Sequence, residues 1–405
     1  MTKTIVVLGG AYAGVGVAHR LLKYTKPHVK DLKVILVSKV NRLVDVVNVA
    51  FNSQFELAPQ KKAKLEKNYP NNSHFYWNLA SVRAIIPGVL KEEQYSQPIE
   101  KGFAKYPADS FEFVVGTAEG IDIVGKTVKI STRDDGERVL NYDHLVLATG
   151  TRAIDGTVPW KSNGTHEQVT GLVAQIQDKV KSAKHIVVAG AGSTGVEVAS
   201  EIAFEYGKEK EVILLSGDSE ILGGDSLASN VASELKKLGV SVRKSARVDA
   251  AHTTPEGKTE VVLQNGEKIL TDLYLPTMGV RPNTEYLPAE ILTDKKFVDI
   301  DEFYRVKGTK DVWAAGDIVW KPRGSFVLSD KQAAGVAKNI DLTLKGKAPT
   351  PVKTLPMDVL MVATGRSRGA GRMGSVKVFS VMVYMMKGKT LGVQSLPGYV
   401  DGSAF

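Results

Sequence analysis

The feature that most constrains this chain is a strand–glycine turn–helix–strand pattern that occurs twice, with the first glycines at Gly9 and Gly190. In the second copy, residues 185–189 form an apolar strand that runs into Gly190-Ala191-Gly192-Ser193-Thr194-Gly195. A helical pattern over 196–206 and a strand over 211–215 follow. Glycine at 190 permits the tight turn, glycine at 192 lets the backbone approach a pyrophosphate, and glycine at 195 lets helix and strand pack closely. The start of the helix offers free N–H groups and a partial positive charge to phosphates. In this context the G-x-G-x-x-G spacing predicts a dinucleotide site.

The first copy departs from that pattern. Residues 4–8 are a strand, Gly9-Gly10-Ala11-Tyr12-Ala13-Gly14 the turn, 15–24 a helix and 33–37 a second strand. Gly9 and Gly14 hold the first and third places. Ala11 holds the middle one, where its methyl group limits approach to a pyrophosphate, and Gly10 beside it relieves the turn. Ser38 ends the second strand, where an acid usually binds a ribose 2′-OH; a hydroxyl can bond there without charge. Ser216, followed by Gly217-Asp218, ends the equivalent strand of the second copy. It supplies neither the acid that favours NADH nor the arginine that favours NADPH, so the choice of nicotinamide stays open.

Two further strands end in glycine motifs, 143–148 in Ala148-Thr149-Gly150 and 311–315 in Gly316-Asp317. A carboxylate at the C-terminal end of a parallel strand stands where open α/β sheets bind ligands. Asp317 is therefore a candidate acceptor for a ribityl hydroxyl, with a helix N-cap as its plain alternative. Residues 58–110 are rich in Lys, Asn, Pro and aromatics without a sustained period, which predicts a helix-poor excursion, a lid in form, with a local helix or hairpin that periodicity does not locate. Residues 111–150 read as short strands, 127–131 among them, and 330–344 as a helix. Pro349 and Pro351 mark a boundary. Beyond it, 374–386 is apolar nearly all round: Val376, Phe379, Val383 and Met386 share one helical face, while Val378, Val381, Met382 and Met385 lie elsewhere. That pattern suits burial better than an interfacial helix, with part of the segment lining an acceptor pocket.

The 405 residues, 43% of them hydrophobic, provide for two or three domains. There is no cysteine, which excludes disulfides, a thiolate nucleophile, a Cys-x-x-Cys redox pair and cysteine metal sites; no metal is expected. The net charge is +9, but without a clustered patch or a recognisable binding fold no specific nucleic-acid partner is expected. Residues 351–405 carry seven Lys/Arg against two Asp/Glu. That bias is read as a solvated face, with attraction to an anionic membrane surface or to an anionic cofactor as the alternatives. No apolar stretch is long enough for a spanning helix, the strand at 5–8 leaves no room for a leader, and Thr2 does not fit N-myristoylation.

The order of motifs (a glycine turn, Ala148-Thr149-Gly150, a second glycine turn, Thr277-Met278-Gly279, then Ala314-Ala315-Gly316-Asp317) resembles the flavoprotein family with two dinucleotide domains. That family includes the pyridine-nucleotide disulfide reductases and type II NADH dehydrogenases. Asn48-Val49-Ala50, Gly192 to Glu197, and the tail from Thr364-Gly365-Arg366 to Lys387 are more closely similar to the apoptosis-inducing-factor-like and ferroptosis-suppressor quinone reductases. The resemblance implies an α/β fold of two Rossmann-like domains, the second inserted in the first, plus a small C-terminal domain. FAD would occupy 1–155 with 290–348, NADH or NADPH would occupy 156–289, and 349–405 would close over the flavin. Hydride would pass from NAD(P)H to FAD, and electrons onward to a quinone-like acceptor.

By the same resemblance, the FAD-binding residues are Gly9, Gly10, Ala11, Tyr12, Ala13, Gly14, Ser38, Lys39, Arg42, Asn48, Ala118, Ala148, Thr149, Gly150, Gly316 and Asp317. The nicotinamide dinucleotide falls to Gly190, Gly192, Ser193, Thr194, Gly195, Glu197, Ser216 and Gly279. Asn48 is placed near the isoalloxazine, Glu197 by the nicotinamide, and Lys387 where a cation stabilises anionic reduced flavin. Glu197 and Lys387 are the catalytic candidates; their plain alternatives are a first-turn helix acid and an exposed lysine. Rival readings on the same scaffold are an NAD(P)H oxidase, a reductase for a redox partner protein recruited by the basic tail, and an NAD(P)H-sensing binding module. A homodimer, a peripheral membrane contact through the basic tail, and a cytoplasmic or mitochondrion-associated setting complete the expectations.

Overall fold

The strand Lys3–Leu8 has Ile5, Val6, Val7 and Leu8 all buried. An unbroken apolar run of this kind marks a strand covered on both faces of a parallel sheet. In the computed structural model, which describes residues 2–39, 74–132, 136–321, 323–355 and 357–405, Lys3–Leu8 lies in the middle of the first sheet. Among the described residues that sheet has seven strands, in the order Val312–Ala314, His144–Leu147, Lys3–Leu8, Leu32–Ser38, Phe111–Asp122, Thr127–Thr132 and Glu137–Asn141. The first five pair in parallel, and the last two add an antiparallel extension.

The chain thus leaves this sheet after His144–Leu147 and rejoins it at Val312–Ala314. Between them lies a second parallel sheet, ordered Ser241–Arg243, Glu211–Leu215, His185–Ala189 and Leu273–Pro276. The crossing points are tied together, because Thr151–Ala153 on the way out pairs antiparallel with Val280–Pro282 on the way back. A three-stranded antiparallel sheet, Val359–Thr364, Arg368–Met373 and Val376–Val378, follows, and short helical segments from Ser380–Val383 to Leu396–Asp401 end the chain. No helix among the described residues is long and apolar enough to cross a membrane.

Several expectations change. The helix expected over 330–344 begins four residues earlier, as Phe326–Leu344, and Tyr12–Arg20 runs on as a π-helical turn at Leu21–Thr25. The described part of the excursion, from residue 74, contains a two-stranded ladder, His74–Tyr76 with Ser96–Pro98, and the short helices Ser81–Ala84, Glu92–Tyr95 and Ile99–Phe103. Burial of 374–386 is overturned: Phe379, Met385 and Val376 are 79%, 70% and 68% exposed, whereas Val383 is fully buried. The reason is local. Val383 fits over Gly369 and Gly371 of the neighbouring strand, where an added Cβ would come within 2.5 and 2.7 Å of its methyl groups, and the rest of the segment turns outward. Arg42 and Asn48 lie outside the described residues.

Candidate functional site

The first glycine turn is built by close approach. Gly9 has φ +121°, and a Cβ there would sit 2.2 Å from the carbonyl oxygen of Ala148; only glycine takes that conformation at no steric cost. A Cβ on Gly14 would meet the Gly9 carbonyl oxygen at 1.8 Å, so helix and strand touch there. The helix Tyr12–Arg20 that follows has no side-chain cap and no acid in its first turn. Its leading N–H groups are left for a ligand. Ser38 is nearly buried and packs against Gly10, where a Cβ would lie 2.4 Å from its hydroxyl. Tyr12 anchors the turn, its ring edge-on to Phe75, Trp77 and Phe326 at about 5 Å. Burial pushes its hydroxyl pKa well above the ordinary value, so it stays a neutral donor.

The second turn repeats this construction. Gly190 has φ +103°, and a Cβ on Gly195 would meet the Gly190 carbonyl oxygen at 1.8 Å. Gly192 is the N-cap of Ser193–Tyr206 with φ −74°, without a side-chain cap or a first-turn acid, and the space over its Cα is open. Glu197 is the fifth residue of this helix, which places it beyond the first turn.

Both turns meet at one cavity of about 600 Å³. Of the residues expected to bind FAD, Gly9, Gly10, Ala11, Tyr12, Ala13, Ser38, Lys39, Ala118, Ala148, Thr149, Gly150, Gly316 and Asp317 line it; from the second set, Ser193, Thr194 and Glu197 do, and Lys387 joins them. Gly14, Gly190 and Gly195 serve the turns from behind. Gly192 lies outside this lining. So does Ser216, whose hydroxyl donates to the Glu220 carbonyl oxygen at 3.0 Å. Gly279 also stands apart, at φ +70° against Ile154, and helps carry the chain between the sheets.

The cavity is framed by polar contacts. The Thr149 hydroxyl donates to the Asn283 carbonyl oxygen at 2.8 Å, and the Asn283 amide donates to the Thr149 carbonyl oxygen at 2.7 Å. The Gly316 N–H donates to Gln332 at 2.7 Å, which fixes the strand end that carries Asp317. Asp317 pairs with the ammonium of Lys161. Lys387 reaches in from a π-helical turn, Tyr384–Gly388. Its ammonium lies 2.6 Å from Glu197 Oε1 and donates to the Met361 carbonyl oxygen at 2.9 Å. Glu197 is 5% exposed and also accepts the Ala363 N–H at 2.9 Å. Behind this pair, Arg83 donates to Glu201 at 2.6 Å and to the Gly388 and Lys389 carbonyl oxygens at 2.7 and 3.0 Å. Arg366 holds the other Glu201 oxygen at 3.1 Å.

Sequence reading missed several groups on this wall. Asn78 lines the cavity and accepts the Lys161 N–H at 2.6 Å. A signal existed: Asn78-Leu79-Ala80 repeats the Asn-apolar-Ala pattern quoted at Asn48-Val49-Ala50. Lys161, His74, Tyr76 and His166 line the cavity as well, without any motif to announce them.

Two uncapped helix starts, glycines that a Cβ would jam, and a carboxylate at a strand end fit a pair of dinucleotides. The comparisons agree. Residues 3–341 match the pyridine nucleotide-disulphide oxidoreductase family, and the chain belongs to it. Its cofactors are FAD and NAD(P)H, and it is an NAD(P)H-dependent flavin oxidoreductase. The chain is 39% identical to oxidoreductase ptaL of Pestalotiopsis fici over 405 residues, covering 99% of each. It is 29% identical to ferroptosis suppressor protein 1 of Homo sapiens over 343 residues, which is 79% of this chain and 85% of that one. Among solved structures it resembles the sulfide:quinone oxidoreductase of Aquifex aeolicus, with a TM-score of 0.71 at 15% identity, over 99% of this chain and 92% of that one.

Proposed function

We propose that the chain is an NAD(P)H:quinone-type oxidoreductase, in which residues 1–155 with 290–348 hold FAD, 156–289 hold NAD(P)H and 349–405 close the site. The observation that carries this reading is the Lys387–Glu197 contact. It joins the C-terminal segment to the second glycine-turn helix on the wall of the cavity onto which the first turn opens. FAD, when bound, supplies the two-electron relay between nicotinamide and acceptor.

The chain's own residues bind and orient. The N–H groups at residues 11–14 and 192–195 would donate to the two pyrophosphates. Asp317 would exchange Lys161 for a ribityl hydroxyl. Lys387 holds a positive charge at the wall and favours a cofactor that gains negative charge on reduction. Because the chain has no cysteine, no protein thiol stands between the cofactor and the acceptor. The resemblance to the ferroptosis-suppressor quinone reductases, with the human ferroptosis suppressor protein 1 at 29% identity, supports a quinone-class acceptor.

The test is anaerobic. Purified holoenzyme is titrated with NADH and with NADPH, and a short-chain ubiquinone analogue is then added. Bleaching of the flavin bands and their return with quinone is the expected result. A bleached flavin that quinone leaves unchanged removes the quinone assignment.

A further inference from the structure

One part of the cavity wall is chemically unlike the rest. The strand His74–Tyr76 alternates: Phe75 is fully buried behind it, while His74 and Tyr76 both line the cavity. The Tyr76 hydroxyl is a buried atom with no hydrogen-bond partner among the described residues. Burial holds its pKa well above the ordinary value, so at working pH it is an unused donor. Buried polar groups are almost always paired, and one that is unpaired at a cavity wall points to a ligand oxygen.

Next to it, the rings of His74 and His166 stack with centroids 3.6 Å apart and planes 13° apart. His166 Nδ1 lies 3.3 Å from the Ser96 hydroxyl, and Nε2 lies 3.0 Å from Glu92 Oε1. Glu92 is 53% exposed, so the chain of contacts leads from solvent to the cavity. Among the described residues, Glu92 is a charged group in contact with His166, and the Tyr76 and Tyr95 rings meet edge to face.

Cofactor binding does not call for such a path. The glycine turns and Asp317 would meet phosphates and hydroxyls, and hydride transfer from nicotinamide to flavin consumes no solvent proton. Reduction of a carbonyl acceptor does consume one.

We propose that Tyr76, His74 and His166 form the acceptor subsite for a flat aromatic dicarbonyl compound of the quinone class. Tyr76 donates to one carbonyl oxygen, and the imidazole pair delivers a proton. This rests on the quinone-reductase reading above. The balance is complete. The nicotinamide C4–H bond breaks and NAD(P)+ leaves, giving up two electrons and one proton as hydride. The quinone takes two electrons and two protons and forms two O–H bonds. One proton derives from the hydride, and the other enters from solvent through Glu92 and His166, which the next solvent proton restores.

The experiment uses stopped-flow half-reactions of the holoenzyme. Tyr76→Phe should keep its FAD and its rate of reduction by NAD(P)H. It should be reoxidised by the ubiquinone analogue about tenfold more slowly, the worth of one neutral hydrogen bond. His166→Asn should slow reoxidation by the quinone by about a hundredfold. Reoxidation by ferricyanide, which takes electrons without protons, should match wild type in both variants.

Reoxidation of both variants by quinone at the wild-type rate overturns the subsite and leaves the reading of function intact. Wild-type flavin that NAD(P)H reduces but quinone never reoxidises overturns both. Loss of FAD from Tyr76→Phe overturns the subsite by assigning that hydroxyl to the cofactor.

Discussion

The Lys387 ammonium lies 2.6 Å from the Glu197 carboxylate, although 190 residues of chain separate them. Lys387 stands on a π-helical turn near the C-terminus, and Glu197 on the helix that follows the second glycine turn. The pair makes the end of the chain part of the site.

Removing one partner should therefore cost both stability and chemistry. Lys387→Met leaves a buried carboxylate with, among the described residues, the Ala363 N–H, and breaking such a pair costs about 3 kcal/mol. Glu197→Gln should cost less, because the remaining ammonium keeps the Met361 carbonyl oxygen and partial access to water. The double variant should regain most of the stability without regaining the rate of flavin reduction. Denaturant melts and single-turnover reduction by NADH check this; equal losses in all three variants would show the pair to be structural only.

Arg83 and Glu201 are both almost fully buried, and Arg83 also holds the two carbonyl oxygens that follow Lys387. Arg83→Ala strands the Glu201 charge with Arg366 alone. The expected loss is about 3–5 kcal/mol, read as a lower melting temperature and weaker FAD retention. A variant that melts within 1 °C of wild type would contradict the arrangement, since about 1 kcal/mol alone moves a domain of this size by roughly 2–4 °C.

His19 gives a pH dependence. Its Nε2–H donates to the Val400 carbonyl oxygen at 2.9 Å, and its Nδ1 accepts from the Tyr106 hydroxyl at 3.0 Å. Burial pushes its pKa down to about 4 from 6.5, helped by Lys105 and Lys23 and opposed by the Val400 contact and Asp401. Between those values the unfolded chain binds a proton that the folded chain does not, so stability rises with pH. The stabilisation is complete above pH 6.5 and is lost as pH falls toward 4. Melting temperatures at steps from pH 7 to 4.5 should fall for wild type and fall less steeply for His19→Gln; parallel curves would refute the assignment.

The outward turn of the C-terminal segment separates two apolar residues that look alike in sequence. Val383→Ala should cost about 1.5–3 kcal/mol, as expected for a fully buried side chain losing both of its methyl groups. Phe379→Ser, at a position 79% exposed, should stay within about 0.5 kcal/mol. Urea unfolding of the two variants checks the contrast.

What the sequence revealed follows from where the backbone itself is under constraint. Gly9, Gly190 and Gly316 stand at positive φ, so the turns and strand ends could be read from residue type. The parallel strands were legible as unbroken apolar runs. The segment 374–386 was not, because an all-apolar pattern does not say which side meets the core, and the deciding residues, Gly369 and Gly371, lie on another strand. Asn78 was passed over although its local pattern matches the one quoted at Asn48, because its contact with Lys161 depends on the fold. His74 and His166 are 92 residues apart, and their stacking depends on how a short ladder meets the start of His166–Ser182.

The most direct test of two turns holding two different dinucleotides is an anaerobic spectral titration of Gly192→Val. Position 192 has an ordinary φ of −74° and open space beside it, so valine folds there and obstructs only a ligand brought against that turn. The expected protein is yellow, carries its full FAD and bleaches with dithionite, yet stays oxidised at NADH and NADPH concentrations that bleach wild type. A colourless variant, or one that either nucleotide reduces at the wild-type rate, would contradict the division of labour between the turns.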